Sequence, residues 1–115
     1  MTIFQIEPCT IAAGDSVPMQ FDFVYKDGTL PDFTDYRGYY VLSPYGFENT
    51  NVLSKEMTPK GTTGWTVELY SEDTASLQEG TYTAKVILEH EGEYYKKARG
   101  VFNIVMDTDN VEVNA

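Results

Sequence analysis

An all-β domain is the fold class this sequence predicts, and three observations carry it. Short alternations of apolar and polar residues recur, as in Val17, Met19, Phe21 and Phe23, or Trp65, Val67 and Leu69. Turn signals such as Ala13-Gly14-Asp15, Lys26-Asp27-Gly28 and Pro44-Tyr45-Gly46 separate them at short intervals. The run Leu77-Gln-Glu-Gly80-Thr-Tyr82 has the spacing of a tyrosine corner, where a tyrosine near the start of a strand returns its hydroxyl to the preceding turn. Together these predict an immunoglobulin-like two-sheet antiparallel β-sandwich of about seven strands. It is expected over residues 1–106, with 107–115 as an acidic flexible tail. Trp65, Leu77, Gly80 and Tyr82 are its fold-defining residues.

The elements follow in order. The opening TIFQIEPCTI reads as an edge strand interrupted at Pro8, which lacks the amide donor a central ladder needs. Residues 16–25 form the cleanest strand, with Val17, Met19, Phe21, Phe23 and Tyr25 on one face. The Pro31-containing segment 29–36 reads as a crossover loop that plugs Leu30 and Phe33 into the core. Arg37 to Ser43 is the third strand, and alternation does not decide which of Tyr39 and Tyr40 points inward. Asn51 to Met57 is expected as an edge strand or extended loop. Trp65 to Leu69 is a further strand, and Ser71 to Leu77 a single helical turn capped by Ser71 and ended before Gly80. Residues 81–89 and 94–106 then form a hairpin about Gly92, with a bulge expected at Gly100. Ala84 stands where an antibody-type domain would carry its second cysteine, so this sandwich has no disulfide.

Totals narrow the function. A chain of 115 residues makes one domain. Eighteen acidic against eight basic residues leave a net charge of −10, which repels phosphate backbones and anionic lipid, so neither nucleic acid nor membrane insertion is expected. No stretch approaches the roughly 18 apolar residues of a membrane span, and the N-terminus lacks the basic and apolar regions of a signal peptide. Synthesis in the cytoplasm is the expectation.

Reactive groups are few. The one histidine, His90, is expected as a solvated residue of the hairpin loop, and the one cysteine, Cys9, as a small apolar residue; neither offers a catalytic base, a nucleophile or a zinc set. Asp27, Asp32 and Asp35 share one loop region, where solvated turn aspartates are expected; calcium stays open because dispersed loop ligands leave no spacing pattern. No cofactor, no metal and no catalytic residue are therefore assigned. Two aromatic groups suggest an interaction surface. Tyr94, Tyr95, Lys97 and Arg99 make a cationic and aromatic strip, with Tyr95, Lys97 and Arg99 on one face of a regular strand, and Tyr45 stands at a turn.

Several motifs in sequence order also resemble a known family. Gly14-Asp15 before an apolar strand, Lys26-Asp27-Gly28, Pro31-Asp-Phe-Thr-Asp35, Ser43-Pro44-Tyr45-Gly46, Leu77-x-x-Gly80-x-Tyr82-x-Ala84 and Phe102-Asn-Ile104 resemble the N-terminal immunoglobulin-like domain of phage upper baseplate proteins. The likeness runs over about residues 11–105. It implies a non-enzymatic phage or prophage structural module, a tail or baseplate part that meets other virion proteins or copies of itself and leaves the cell in a particle. A carbohydrate-binding or adhesion module, using exposed tyrosines on a host surface glycan, is the alternative reading.

Overall fold

The computed structural model of the protein describes residues 4–105. The expected acidic tail at 107–115 lies outside the described residues. Within them run β1 (Phe4–Gln5), β2 (Cys9–Ala12), β3 (Val17–Asp22), β4 (Arg37–Pro44), β5 (Leu53–Lys60), β6 (Gly64–Leu69), α1 (Ser71–Ala75), β7 (Gly80–His90) and β8 (Glu93–Val105).

The strands do not form two separate sheets. They lie on one hydrogen-bonded path, β1-β8-β7-β4-β5-β6-β3, with β2 also on β8. The sheet curls on itself into a nearly closed barrel, and this corrects the two-sheet sandwich. The weld is β5. Its first half pairs with β4, from Leu53 opposite Leu42 to Met57 opposite Gly38, and its last three residues pair with β6, from Thr58 opposite Thr66 to Lys60 opposite Gly64. A strand that changes partner midway joins what would otherwise be two layers. What stays open is the seam between β3 at one end of the path and β1 and β2 at the other.

Local rules explain most elements. The missing donor of Pro8 falls in the gap between β1 and β2, both of which run parallel to β8. Between them Ile6 crosses so close to β8 that a Cβ on Gly100 would sit 2.6 Å from the Ile6 carbonyl oxygen and 2.7 Å from its Cβ. Gly100 therefore marks a close backbone approach. The bulge falls elsewhere: the β7–β8 register slips between Val86 and Ile87, leaving Lys97 as the extra residue.

The interior is one cluster that includes Tyr40, Leu42, Trp65, Leu69, Val86, Leu88 and Phe102. Tyr40 is the inward member of its pair, stacked on Phe21 at 5.7 Å between centroids, while Tyr39 is half-buried. Phe33 enters the core edge-on to Phe23, as a crossover plug should, but Leu30 is 64% exposed and Pro31 is buried in its place. Trp65 packs on the bare backbone of Gly38, where an added Cβ would lie 2.9 Å from the ring and 2.9 Å from Met57 Cε. Its indole N–H is buried with no acceptor among the described residues.

The short helix α1 is tied to β5 and to the turn between β2 and β3. Tyr70, not Ser71, is its N-cap, and the Asp73 carboxylate accepts the Tyr70 N–H at 2.8 Å. Lys55 of β5 reaches the same carboxylate at 2.7 Å and lies over the Tyr70 ring. The Thr74 hydroxyl, fully buried, accepts the Gly14 N–H at 3.1 Å and donates to the Asp15 carbonyl at 2.6 Å, tying the helix to the turn between β2 and β3. Beyond the helix Leu77 is buried, Gly80 begins β7, and the Tyr82 hydroxyl donates to the Gln78 carbonyl at 2.5 Å. The corner thus exists within a barrel as well as it would within a sandwich.

Candidate functional site

The outer face of β4, β7 and β8 carries the site. Side chains alternate across these strands, so Val41, Ser43, Thr83, Lys85, Arg99 and Val101 point away from the core. Such a face ordinarily meets water. Here the loop between β4 and β5 folds over it. Pro44-Tyr45-Gly46-Phe47 is a turn closed by the Phe47 N–H to the Pro44 carbonyl at 2.9 Å, with Gly46 at φ 88° supplying the left-handed conformation that a second central residue needs. The Tyr45 N–H donates to Thr81 of β7, and the Val52 N–H returns to Leu42. The Ser43 hydroxyl donates to Asn51 Oδ1 at 3.0 Å.

Charge holds the middle of this loop. Lys85 is only 4% exposed and donates from Nζ to the Glu48 carbonyl at 3.0 Å, while the Glu48 carboxylate pairs with Arg99. Burial pushes the Lys85 ammonium below its usual pKa; Lys96 pushes it the same way, Glu48 pulls it back, and Arg99 adds to the repulsion.

Beside the loop lies a small cleft of about 230 Å³, lined by Gln5, Tyr45, Thr83, Arg99, Gly100 and Val101. Tyr45 is 63% exposed and forms one wall; Gln5 and Arg99 supply an amide and a guanidinium. A flat ring beside converging hydrogen-bonding groups is the arrangement that holds a sugar ring. Phe47, 70% exposed on the same loop, adds a second ring nearby in the chain.

A larger cleft, about 540 Å³, runs along the open seam and is lined by Ile6, Cys9, Met19, Phe21, Tyr40 and Ala98 among others. Its floor is the core itself. Burial raises the pKa of the Cys9 thiol and of the Tyr40 hydroxyl, which keeps both protonated. Gln5, Glu7, Gln20 and Asp22 line it too, but its rings, Phe21, Phe23 and Tyr40, are packed in or against the core, whereas Tyr45 stands exposed at the smaller cleft, which makes that the better candidate.

The structure separates the residues that the sequence groups. Tyr45 and Arg99 meet at the cleft. Tyr94 is exposed near the hairpin end, opposite Glu89. The bulge at Lys97 puts Arg99 opposite outward Lys85 but Tyr95 opposite Leu88, whose side chain is fully buried. Tyr95 therefore leaves the face of Arg99, and the regular strip does not form; Tyr94, Lys96 and Arg99 share the outer face instead. His90 is also placed differently: it ends β7 and stacks on Tyr36 with centroids 4.3 Å apart, half-buried. Asp27 and Asp32 each accept the N–H and hydroxyl of the threonine two residues on, and those bonds lower both carboxyl pKa values. Among the described residues no group of three His, Cys, Asp or Glu side chains is placed to hold a metal ion.

Gln5, Glu48, Thr83 and Lys85 belong to the site and escape sequence reasoning. Only Lys85 leaves a trace, as a lone charge in the otherwise apolar run Ala84 to Leu88.

In architecture the chain is similar to part of a bacterial enzyme. The likeness is to the catalytic module of a multi-modular glycogen-degrading pneumococcal virulence factor, SpuA, at 14% identity and TM-score 0.51 over 75% of this chain. The same module in complex with an inhibitor matches at 14% identity and TM-score 0.50 over 73%. The chain spans 11% of the length of either structure. No protein-family model matches the chain, and no curated protein is similar to it in sequence. At this identity the likeness is one of fold.

That fold likeness corrects the phage reading. The match is to part of a glycan-degrading module, not to a baseplate domain, and with it the virion structural role, the tail and virion partners and the exclusion of an enzyme are overturned. Motifs made of turn glycines and a tyrosine corner recur wherever strands must turn, which is why they pointed to the wrong relative.

Proposed function

We propose that this protein is a carbohydrate-binding module, with its ligand in the cleft formed by Tyr45, Gln5, Thr83 and Arg99. The observation that carries the proposal is the Tyr45 ring, held exposed by a hydrogen-bonded turn beside an amide and a guanidinium. A sugar ring stacks its C–H face on Tyr45, and Gln5 and Arg99 donate to its hydroxyls. The loop is docked before any ligand arrives, so little ordering entropy opposes binding. The architectural likeness to part of a glycan-degrading enzyme supports a place in glycan-active proteins.

The test is binding of the purified chain to a glycan array, followed by calorimetry on each hit. Tyr45→Ala should weaken binding by about tenfold or more, as the loss of a stacked ring at about 1.4 kcal/mol implies. Undiminished binding by Tyr45→Ala, or silence across neutral and acidic glycans alike, would remove the proposal.

A further inference from the structure

The basic residues of this chain are unevenly spent. Eight lysines and arginines face eighteen acidic residues, and three of those basic groups are matched one to one: Arg37 with Glu56, Lys55 with Asp73 and Lys60 with Asp22. Four others, Lys85, Lys96, Lys97 and Arg99, lie close together on β7 and β8. Among the described residues Glu48 is the one carboxylate that pairs with any of them, and it pairs with Arg99. The β7–β8 register places Lys96 opposite Ile87 and Arg99 opposite Lys85, so three cations occupy the outer face, and of these Arg99 lines the cleft. Their mutual repulsion is felt by buried Lys85, whose ammonium is disfavoured by both Lys96 and Arg99.

A patch with surplus positive charge, on a protein of net charge −10, is a local exception. It is effective because carboxylates more than about 8 Å away are largely screened at physiological ionic strength, whereas a ligand group in the cleft lies within that distance of Arg99. We infer that the ligand of the Tyr45 cleft is an acidic saccharide, its ring on Tyr45 and its anionic group on Arg99 and Lys96. This rests on the carbohydrate-binding reading and sharpens it: neutral glucans would leave the surplus charge without a partner. A carboxylate suits the guanidinium fork of Arg99, and a phosphate would use the same donors.

The experiment is titration calorimetry of the intact chain with trigalacturonate, maltotriose and glucose 6-phosphate. In about 20 mM salt trigalacturonate should bind roughly tenfold tighter than maltotriose, and the advantage should shrink several-fold in about 0.5 M salt as screening sets in. Tighter binding of glucose 6-phosphate than of maltotriose supports the same anion site with phosphate as its group. Lys96→Gln, at an exposed position, should weaken the acidic ligands about threefold and maltotriose by less. Equal affinity for trigalacturonate and maltotriose, or a Lys96→Gln effect on both alike, overturns the acidic ligand and leaves the carbohydrate module standing. Binding by none of the three, with an empty glycan array, overturns the module and the inference with it.

Discussion

Replacing Lys85 by methionine tests the charge that sits under the Tyr45 loop. The substitution keeps an unbranched stem of similar length and removes the ammonium. Two terms oppose each other. The lost hydrogen bond from a charged donor to the Glu48 carbonyl, 3.0 Å, is worth about 1.5 to 3 kcal/mol. Against it stands release from burying an ion at 4% exposure, an effective penalty of several kcal/mol, with Lys96 and Arg99 adding repulsion. The lowered pKa says that the environment disfavours the charged form on balance even with its hydrogen bond. Lys85→Met should therefore be more stable than the parent, by about 1 kcal/mol in urea titration at pH 7. The sign with pH follows. With the folded pKa below the unfolded one, the penalty is full below the folded value and fades as pH rises through it toward about 10.4. The gap between Lys85→Met and the parent should accordingly close between pH 7 and the unfolded lysine range. A variant less stable than the parent at pH 7, or a gap that widens with pH, would show that the buried ammonium stabilises the fold.

Other perturbations probe the barrel. Tyr82→Phe removes the bond to the Gln78 carbonyl and should lower stability by about 1 kcal/mol, whereas Tyr82→Ala should lower it by about 3 to 5 as a large core truncation; equal urea midpoints for Tyr82→Phe and the parent would mean that the corner bond contributes nothing. Gly38→Ala drives a methyl to 2.9 Å from the Trp65 ring and should cost about 1 to 3 kcal/mol, with altered fluorescence of that single tryptophan as the accompanying readout. Asp73→Asn breaks the pair with Lys55 and should cost about 1 kcal/mol at neutral pH. Hydrogen bonds from Lys55, then from the Tyr70 N–H, hold the Asp73 carboxyl below its usual pKa, so that contribution is present above about pH 5 and is lost as pH falls through the unfolded value near 3.9 to the lower folded one. A parent-minus-variant difference that persists at pH 2 would contradict the assignment.

Strands whose side chains alternate cleanly were legible. Val17 to Asp22 and Trp65 to Leu69 show in the sequence the alternation that the structure buries, and Pro8 marks a real gap. The architecture was not legible, because it turns on β5. Leu53-Ser-Lys-Glu-Met-Thr-Pro-Lys60 offers just two apolar side chains, Leu53 and Met57, and resembles an edge strand. Its central role comes from backbone pairing on both sides, which side-chain patterns do not record. The bulge at Lys97 was hidden for a related reason. Gly100 looked like the irregular position, but its lack of a side chain answers a contact with Ile6, distant in sequence. The site was least legible of all. Lys85 and the Glu48 carbonyl are 37 residues apart, and the bond between them exists only because the loop folds back over β7.

The seam cleft and the Tyr45 cleft also differ in what made them, and this favours the Tyr45 cleft as the proposed site. The seam cleft exists because β3 and β1–β2 do not meet; its walls are core side chains such as Phe21 and Tyr40, whose packing the barrel needs for stability. The Tyr45 cleft exists because a loop was brought down onto a face that would otherwise be plain solvated sheet. Holding it there required burying an ammonium under Glu48 and exposing two aromatic rings, Tyr45 and Phe47. Neither feature helps the barrel fold: the first opposes stability and the second leaves apolar surface in water. Departures of this kind gather at sites that bind. If Lys85→Met stabilises the chain while weakening its hold on a saccharide, the buried charge serves the ligand at the expense of the fold.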